Sequence, residues 1–378
     1  MNSSFFLVKW LYIAMDWVYR QMCALFSTGG WVVVLTIFLF TLAIKLLTIF
    51  SDIKSRKSSI QMQAIQPDIE KLKKKYGHDQ QKLSIEQRKL MKERGVSTFG
   101  GCLPMLIMMP LLFMFFAAFR AWSNQQALDL MLKINAGQGA ETFRAYRFLW
   151  ITNIWRPDNL AAGGTLMNGT EFWTTFAATN NIQDFIFYGK NEAELGKLLY
   201  ELHFFTIAED GSYVIAQDGG AAFKAAYDTF VSSITRDASL IGGAYEDMSN
   251  GYAVLPILAG ATTFLSSWIM QRSQKKAMGQ NAEKTSASGN DKNNPADQTQ
   301  SMNKVMMFLM PAMSIFFCYQ YDSTFAFYWI FSNVISLGIT MILSATIFKK
   351  MQQQMADGTL IKEKKPQNSK KNKPLFRR

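Results

Sequence analysis

The sequence predicts an all-α membrane protein with five transmembrane helices, a cytoplasmic helical hairpin and an extracytoplasmic insertion. Three observations support this fold class. Only 18% of the 378 residues are charged, whereas roughly 25% are charged in soluble globular chains. Five apolar stretches are long enough to cross about 30 Å of hydrocarbon. These stretches lack the alternating polar pattern of barrel strands, so we expect them to be helices.

The predicted spans divide the chain into membrane helices and polar connections. The connections are a helical hairpin, a long insertion, a flexible loop and a basic tail, at residues 51–100, 122–251, 271–302 and 349–378. The spans themselves are residues 31–50, 103–121, 253–270, 303–320 and 324–348.

Charge in the connections predicts the orientation of the chain. The net charge is +6 over 51–101, +3 over 271–304 and +8 over 349–378, but −7 over 122–251. Cytoplasmic connections of membrane proteins carry an excess of Lys and Arg. We therefore expect the three basic segments to be cytoplasmic and the acidic one to lie outside, with the N-terminus outside and the C-terminus inside.

Residues 1–30 are predicted to form an amphipathic helix at the membrane interface. Lys9, Asp16 and Arg20 fall within about 40° of one another on a helical wheel, and most of the other residues are apolar. A sixth span and an uncleaved signal anchor are the alternatives. Three ionisable residues in one span would be costly, which favours the interfacial helix. No cleaved signal is expected.

The basic segments suggest contacts but do not define them. In the hairpin, Pro67 favours a helix start, and Gly77 and Gly95 favour helix ends. Anionic lipid would attract the tail, and so would ribosomal RNA phosphate; charge alone does not choose between RNA, lipid and no specific partner.

The composition excludes several other classes of protein. Three Cys do not form a disulfide scaffold, and His78 and His203 are too few and too far apart for a His-based metal site. The insertion has no recognisable catalytic constellation, and no phosphate-binding loop is present. We expect no cofactor, no metal and no catalysed reaction.

Lys45 is the residue in the spans that most needs an explanation. It shares a helical face with Thr41 and Thr48, and a cation within a span costs at least about 2.5–3.5 kcal/mol on insertion scales. The side chain could snorkel to the cytoplasmic surface, about 9 Å away. The alternative is a water-filled cavity, which hydroxyls of later spans and Asn333 could also line. The predicted spans contain no carboxylate, which argues against a proton relay.

Several ordered motifs resemble the YidC/Oxa/Alb family of membrane protein insertases. The matching residues run from about 5 to 350, interrupted over 159–250. They are Gln66-Pro67, Tyr76-Gly77-His78-Asp79, the stretch from Gly95 to Pro104, Met109-Pro110, Phe148-Leu149-Trp150-Ile151, Leu255-Pro256-Ile257-Leu258, Met310-Pro311 and Tyr328-Trp329-Ile330-Phe331-Ser332-Asn333. The stretch 150–155 is expected to lie along the outer interface, with Trp150 and Trp155 as aromatic anchors.

The resemblance implies a five-helix core around a hydrophilic groove that is open to the cytoplasm and to lipid. The family's groove arginine falls on Lys45 and its threonine on Thr41. Its groove tyrosine falls on Trp329, with Tyr328 beside it; Asn333 is the further candidate. Lys keeps the charge of arginine but loses its planar fork of donors.

The resemblance also implies the function and the partners. It indicates a bacterial plasma (inner) membrane insertase and chaperone acting on nascent membrane proteins, alone or with the Sec translocon. The ribosome would contact the tail and the hairpin, and membrane lipids would surround the spans. A small-solute transporter and a membrane anchor for the outer segment are the rival hypotheses. A transporter predicts internal repeats, which the sequence lacks, and an anchor leaves Lys45 unexplained.

Overall fold

A computed structural model describes residues 3–95, 103–138, 140–166, 197, 199–209, 211, 213–235, 248–278, 295–345, 349 and 353–354. The fold is mostly helical, as predicted. Of the predicted flexible loop, residues 279–294 lie outside the described residues, whereas 271–278 and 295–302 are not loop but the helical ends of two longer helices. Of the basic tail, only residues 349 and 353–354 are described. The helices with defined bounds are α1 (Ser3–Phe26), α2 (Gly30–Ala64), α3 (Gln66–Tyr76), α4 (Gln80–Glu93), α5 (Leu103–Asn135), α6 (Glu141–Arg144), α7 (Gly219–Thr235), α8 (Val254–Met278), α9 (Pro295–Gln320) and α10 (Ser323–Ala345).

The chain divides into two compact units. The first comprises Met1–Lys45, Pro110–Phe264 and Leu309–Ile335. The second comprises Leu46–Met109, Leu265–Phe308 and Ser336–Arg378.

Two helices continue well past their predicted membrane spans. Helix α2 does not stop near residue 50 but runs to Ala64, because no Gly or Pro interrupts 51–64 and the first proline is Pro67. Helix α5 continues to Asn135 and is followed by Gly137, whose positive φ of 89° ends the helical path. Residues 122–135, predicted as part of the outer connection, are therefore helical.

Helix α1 packs with one face against other elements of the first unit, and its second face is exposed. Tyr12, Met15 and Tyr19 are buried, whereas Trp10 and Trp17 are 56% and 62% exposed. The predicted polar face is therefore wrong in one respect, because Asp16 is itself buried. Its carboxylate accepts hydrogen bonds from Arg20 Nε at 2.7 Å and from Gln126 Nε2 of α5 at 3.3 Å.

An aromatic cluster joins α1 to α5 and to the segment after α6. The Trp155 ring lies 5.1 Å from Trp122 and 6.4 Å from Tyr19, both in edge-to-face geometry. Trp155 is 1% exposed. We expected it to be an interfacial anchor exposed to headgroups, like Trp150; the structure shows that it is a core residue.

The described part of the insertion adds a small sheet and a helix to the first unit. Strands β1 (Phe205–Ile207) and β2 (Tyr213–Ile215) pair antiparallel, with Phe205 opposite Ile215. Helix α7 buries Phe223, Tyr227 and Phe230. Asn135 Nδ2 at the end of α5 donates to the Ala226 carbonyl at 2.9 Å. The described helix of the insertion therefore contacts the end of α5.

In the second unit, α3 and α4 pack against each other. Ile65 and Ile69 are buried, with Leu90 and Met91 packed on them. Arg94 Nη2 donates to Asp68 Oδ2 at 3.1 Å, which ties the end of α4 to the start of α3. Gly95 has the left-handed φ expected after a helix, 66°, but Gly77 keeps a right-handed φ of −59°.

Candidate functional site

Thr263 is the centre of a polar cluster that joins three otherwise apolar helices of the first unit. Its Oγ1 accepts hydrogen bonds from Trp329 Nε1 at 3.0 Å and from Asn333 Nδ2 at 2.9 Å, both on α10. Ser314 Oγ of α9 lies 3.1 Å away. Asn333 Nδ2 also donates to Thr262 Oγ1, at 3.2 Å. We define Thr262, Thr263, Ser314, Trp329 and Asn333 as the polar cluster.

The sequence explains why these helices bring polar groups together. Trp329 and Asn333 are four residues apart, so they lie on one face of α10. The hydroxyls of Thr263 and Ser314 also donate to carbonyls one turn earlier, those of Ala259 and Met310, at 2.7 and 2.8 Å. Such back-bonding lets hydroxyls reside in apolar helices and still accept further hydrogen bonds.

The structure places Thr41 and Lys45 on successive turns of α2, also in the first unit. Thr41 is buried, and its hydroxyl donates to the Ile37 carbonyl. Lys45 is partly buried and engages other groups of the protein.

Tyr328 belongs to a different environment from its neighbour Trp329. Its ring is 8% exposed and stacks on Phe115 of α5, with centroids 4.9 Å apart. Consecutive helical residues point about 100° apart, so Tyr328 packs into the aromatic core while Trp329 faces the polar cluster. Of the two predicted candidates, Trp329 is therefore the one that joins Asn333.

The sequence alone did not single out Thr263 as a site residue, because it is one of several hydroxyl residues in the later spans. A single hydroxyl in a membrane helix is usually explained by back-bonding to its own helix. The stronger signal was Asn333, because a buried amide requires several partners.

A second polar network lies where the insertion joins α8 and α10. Asp158 is fully buried, and its carboxylate accepts from Leu255 N at 2.7 Å, Ala253 N at 3.0 Å and Trp150 Nε1 at 3.1 Å. Two of these donors are backbone groups at the start of α8, where N–H groups lack intrahelical partners. Asp158 therefore caps α8 from a distant part of the chain.

Asn250 connects the two ends of the insertion. Its amide nitrogen lies 2.8 Å from the Asn153 carbonyl and 3.0 Å from the Pro157 carbonyl, and its Oδ1 accepts from Asn153 N at 2.7 Å. Thr165 Oγ1 donates to the Met248 carbonyl at 2.9 Å. These bonds hold together the chain before and after residues 167–247.

The start of α10 is attached to the same segment. Ser323 donates to the Arg156 carbonyl through its backbone N–H at 3.0 Å and through its hydroxyl at 2.7 Å. Burial raises the pKa of the neighbouring Asp322 to about 6, and the positive charges of Arg156 and Arg120 oppose that rise. Asp322 precedes α10, outside the apolar part of the helix.

Length and composition identify two helices in the described part of the chain that could cross a membrane. They are Gly30–Lys54 and Ser323–Leu343. Val254–Ile269 and Met307–Gln320 are shorter apolar helices. Helices with these properties, carrying a polar cluster among apolar residues, are typical of an α-helical membrane protein.

Comparison with known proteins gives the family. The sequence matches the family described as 60Kd inner membrane protein over residues 25–199 and 221–352. The chain belongs to this family, which corresponds to the YidC/Oxa/Alb resemblance found in the sequence.

Its relatives include bacterial proteins named membrane protein insertase YidC. The protein from Clostridium perfringens is 34% identical over 150 residues, which are 40% of this chain and 56% of the relative. The one from Clostridium tetani is 34% identical over 134 residues, 35% of this chain and 52% of the relative. The one from Saccharophagus degradans is 33% identical over 167 residues, 44% of this chain and 26% of the relative. The matches span about half the length of the clostridial relatives.

Proposed function

We propose that this protein is a membrane protein insertase and chaperone. It would insert integral membrane proteins and help them fold, alone or with the Sec translocon, and would catalyse no chemical reaction. Membership of a family whose relatives are named insertases supports the proposal. The single structural observation that carries it is the polar cluster around Thr263, on helices that are otherwise apolar.

The proposed mechanism lowers a desolvation barrier. A client is a membrane protein whose short polar segment must cross to the outside. Moving unpaired polar groups through hydrocarbon costs several kcal/mol each. A groove lined by Lys45, Thr41, Trp329 and Asn333, and open to the cytoplasm and to lipid, would reduce that cost. Burial of the client's apolar segment, about 20 residues long, would then drive insertion without a nucleotide.

The proposed setting is a bacterial plasma (inner) membrane with five spans, the N-terminus outside and the C-terminus in the cytoplasm. The exposed Trp10 and Trp17 of α1 fit a helix lying at the outer interface, where indole rings are favoured. The ribosome and anionic lipids are proposed as partners of the basic hairpin and tail. Nascent membrane proteins are the proposed clients.

Reconstitution tests the proposed function directly. The purified full chain is placed in lipid vesicles, and a single-span client with a short acidic N-terminal segment is added. We expect protease protection of that segment to require the protein. Equal protection in protein-free vesicles would contradict an insertase. Uptake of small solutes without client protection would favour a transporter instead.

A further inference from the structure

The orientation of the Asn333 amide follows from the hydrogen bonds around it. The hydroxyl proton of Thr263 has the Ala259 carbonyl as an acceptor at 2.7 Å. That of Thr262 has the Leu258 carbonyl at 2.9 Å. With these protons engaged, both hydroxyl oxygens act as acceptors toward α10.

An acceptor environment selects the nitrogen side of the amide. Asn333 Nδ2 carries two hydrogens, one for Thr263 Oγ1 at 2.9 Å and one for Thr262 Oγ1 at 3.2 Å. Turning the amide round would place its oxygen against the two hydroxyls. Both threonine protons would then have to leave their carbonyls to restore the hydrogen bonds. Thr263 Oγ1 has two further neighbours, Trp329 Nε1, which only donates, at 3.0 Å, and Ser314 Oγ at 3.1 Å.

The carbonyl oxygen of Asn333 is consequently directed away from the threonines. Within the described part of the chain, Oδ1 of Asn333 accepts no hydrogen bond. Asn333 is only partly buried, and Val334 beside it is 50% exposed. An oriented acceptor is thus held at the edge of the polar cluster by a threonine pair.

We propose that Thr263, with Thr262, is a positioning residue that holds Asn333 so that its Oδ1 accepts a hydrogen bond from a backbone N–H of the client. This inference rests on the proposed function. A polar segment entering the membrane brings one N–H per non-proline residue, and each needs an acceptor once water is removed. Lys45 offers the client only donors, so an oriented acceptor supplies the complementary half of the recognition.

The test removes single N–H groups from the client rather than from the protein. A synthetic single-span client is prepared in a series in which one backbone amide of the polar segment is replaced by an ester. The ester keeps the shape of the chain but has no donor. With the wild-type full chain in vesicles, we expect one or two positions at which the ester slows insertion roughly three- to tenfold.

Variants then assign that position-specific effect to the amide of Asn333. Thr263→Ser keeps the hydroxyl and should keep the dependence of the insertion rate on the position of the ester. Thr263→Val keeps the size but loses the acceptor, and Asn333→Leu removes the amide. In both variants the insertion rate should no longer depend on the position of the ester. Ser266→Ala, on the same helix α8 and outside the cluster, serves as the matched control and should change nothing. A purely structural role of Thr263 would alter overall insertion without altering one client position.

The outcomes separate this inference from the proposed function. No insertion of any client by the folded wild-type protein would overturn the proposed function. Insertion without an ester-sensitive position, or an ester effect that persists in Asn333→Leu, would overturn the inference alone. If Thr263→Val does not fold, the contrast between Asn333→Leu and Thr263→Ser still decides the question.

Discussion

Asp158 accepts a 2.7 Å hydrogen bond from the backbone N–H of Leu255, 97 residues later in the chain. The other carboxylate oxygen of Asp158 accepts a hydrogen bond from the backbone N–H of Ala253, so the carboxylate caps the first turn of α8. Because this carboxylate is fully buried, losing it would leave helix-terminal N–H groups without an acceptor.

We predict that Asp158→Asn destabilises the protein by about 1–3 kcal/mol, because the amide offers one acceptor oxygen where the carboxylate offered two. The thermal unfolding midpoint in detergent measures the effect. Asp79→Asn is the matched control: Asp79 caps α4 by accepting from Lys82 N at 2.9 Å but is exposed. Its replacement should cost less than about 0.5 kcal/mol. Equal losses in both variants would contradict a special role for the buried cap.

Charge at position 45 should matter more than side-chain shape. Lys45→Arg should retain insertion of clients with acidic translocated segments, whereas Lys45→Ala and Lys45→Glu should reduce it several-fold because the attraction is lost or reversed. Protease protection in vesicles measures this, with exposed Lys54, further along α2, as the site of a control Lys54→Ala variant. Equal insertion of an acidic client by the wild type and Lys45→Glu would contradict the prediction.

The insertion should be dispensable for a simple client only if its two ends are kept. Replacing residues 159–250, the segment that interrupts the family resemblance, would remove Asn250 and Thr165, which belong to the buried network where the insertion joins α8. Replacing 167–247 retains that network, although Phe143 loses its neighbour Phe230. We expect the 167–247 variant to reach the membrane and insert the client, and the 159–250 variant to accumulate less. A 167–247 variant that is abundant but inactive would make the insertion part of the mechanism.

The basic tail should assist ribosome binding without taking part in insertion. Deleting residues 358–378 removes eight Lys and Arg. Association with ribosomes should weaken, and its dependence on salt should become shallower, because fewer phosphate counterions are released. Insertion of a pre-made client should be unchanged. Replacing the eight residues by Arg should preserve ribosome binding and replacing them by Gln should not; a parallel loss of insertion would point to a structural role.

Asp322 predicts a specific pH dependence of stability. Burial raises its pKa from 3.8 to about 6 in the folded protein, against the opposing effect of Arg156 and Arg120. The folded state then binds more protons than the unfolded state between these values, so stability falls as pH rises from about 4 to 6 and is constant above. The loss is at most about 3 kcal/mol. Asp322→Asn should flatten this part of the stability profile, and an unchanged slope in that variant would assign it to other groups.

Local patterns in the sequence predicted most of the helices and pointed to Asn333, one residue of the polar cluster. Pro67 and Gly95 marked boundaries of the hairpin, and Asn333 was identified because an amide in a span needs partners. Helix α2 extends beyond its predicted span because the end of an apolar stretch does not by itself end a helix. Trp155 was assigned to the interface because an aromatic residue near a span is ambiguous until its neighbours Tyr19 and Trp122 are known.

Contacts between distant segments could not be predicted in this way. Asp158 capping α8 and Thr263 receiving Trp329 and Asn333 join residues 66 to 97 positions apart. No periodicity encodes such pairs, since each depends on how whole helices pack. Thr263 and Asp158 each look ordinary in their own stretch of sequence.

The cap on α8 can form only late in the synthesis of the protein. At about 5–20 residues per second, Asp158 is made roughly 5 to 20 seconds before Leu255. During that interval the backbone N–H groups that its carboxylate binds in the folded protein have not yet been made. Helix α8 therefore acquires its cap only when the chain after the insertion has been synthesised. The length of the insertion sets this delay, and a shortened insertion would let the first turn of α8 be capped earlier.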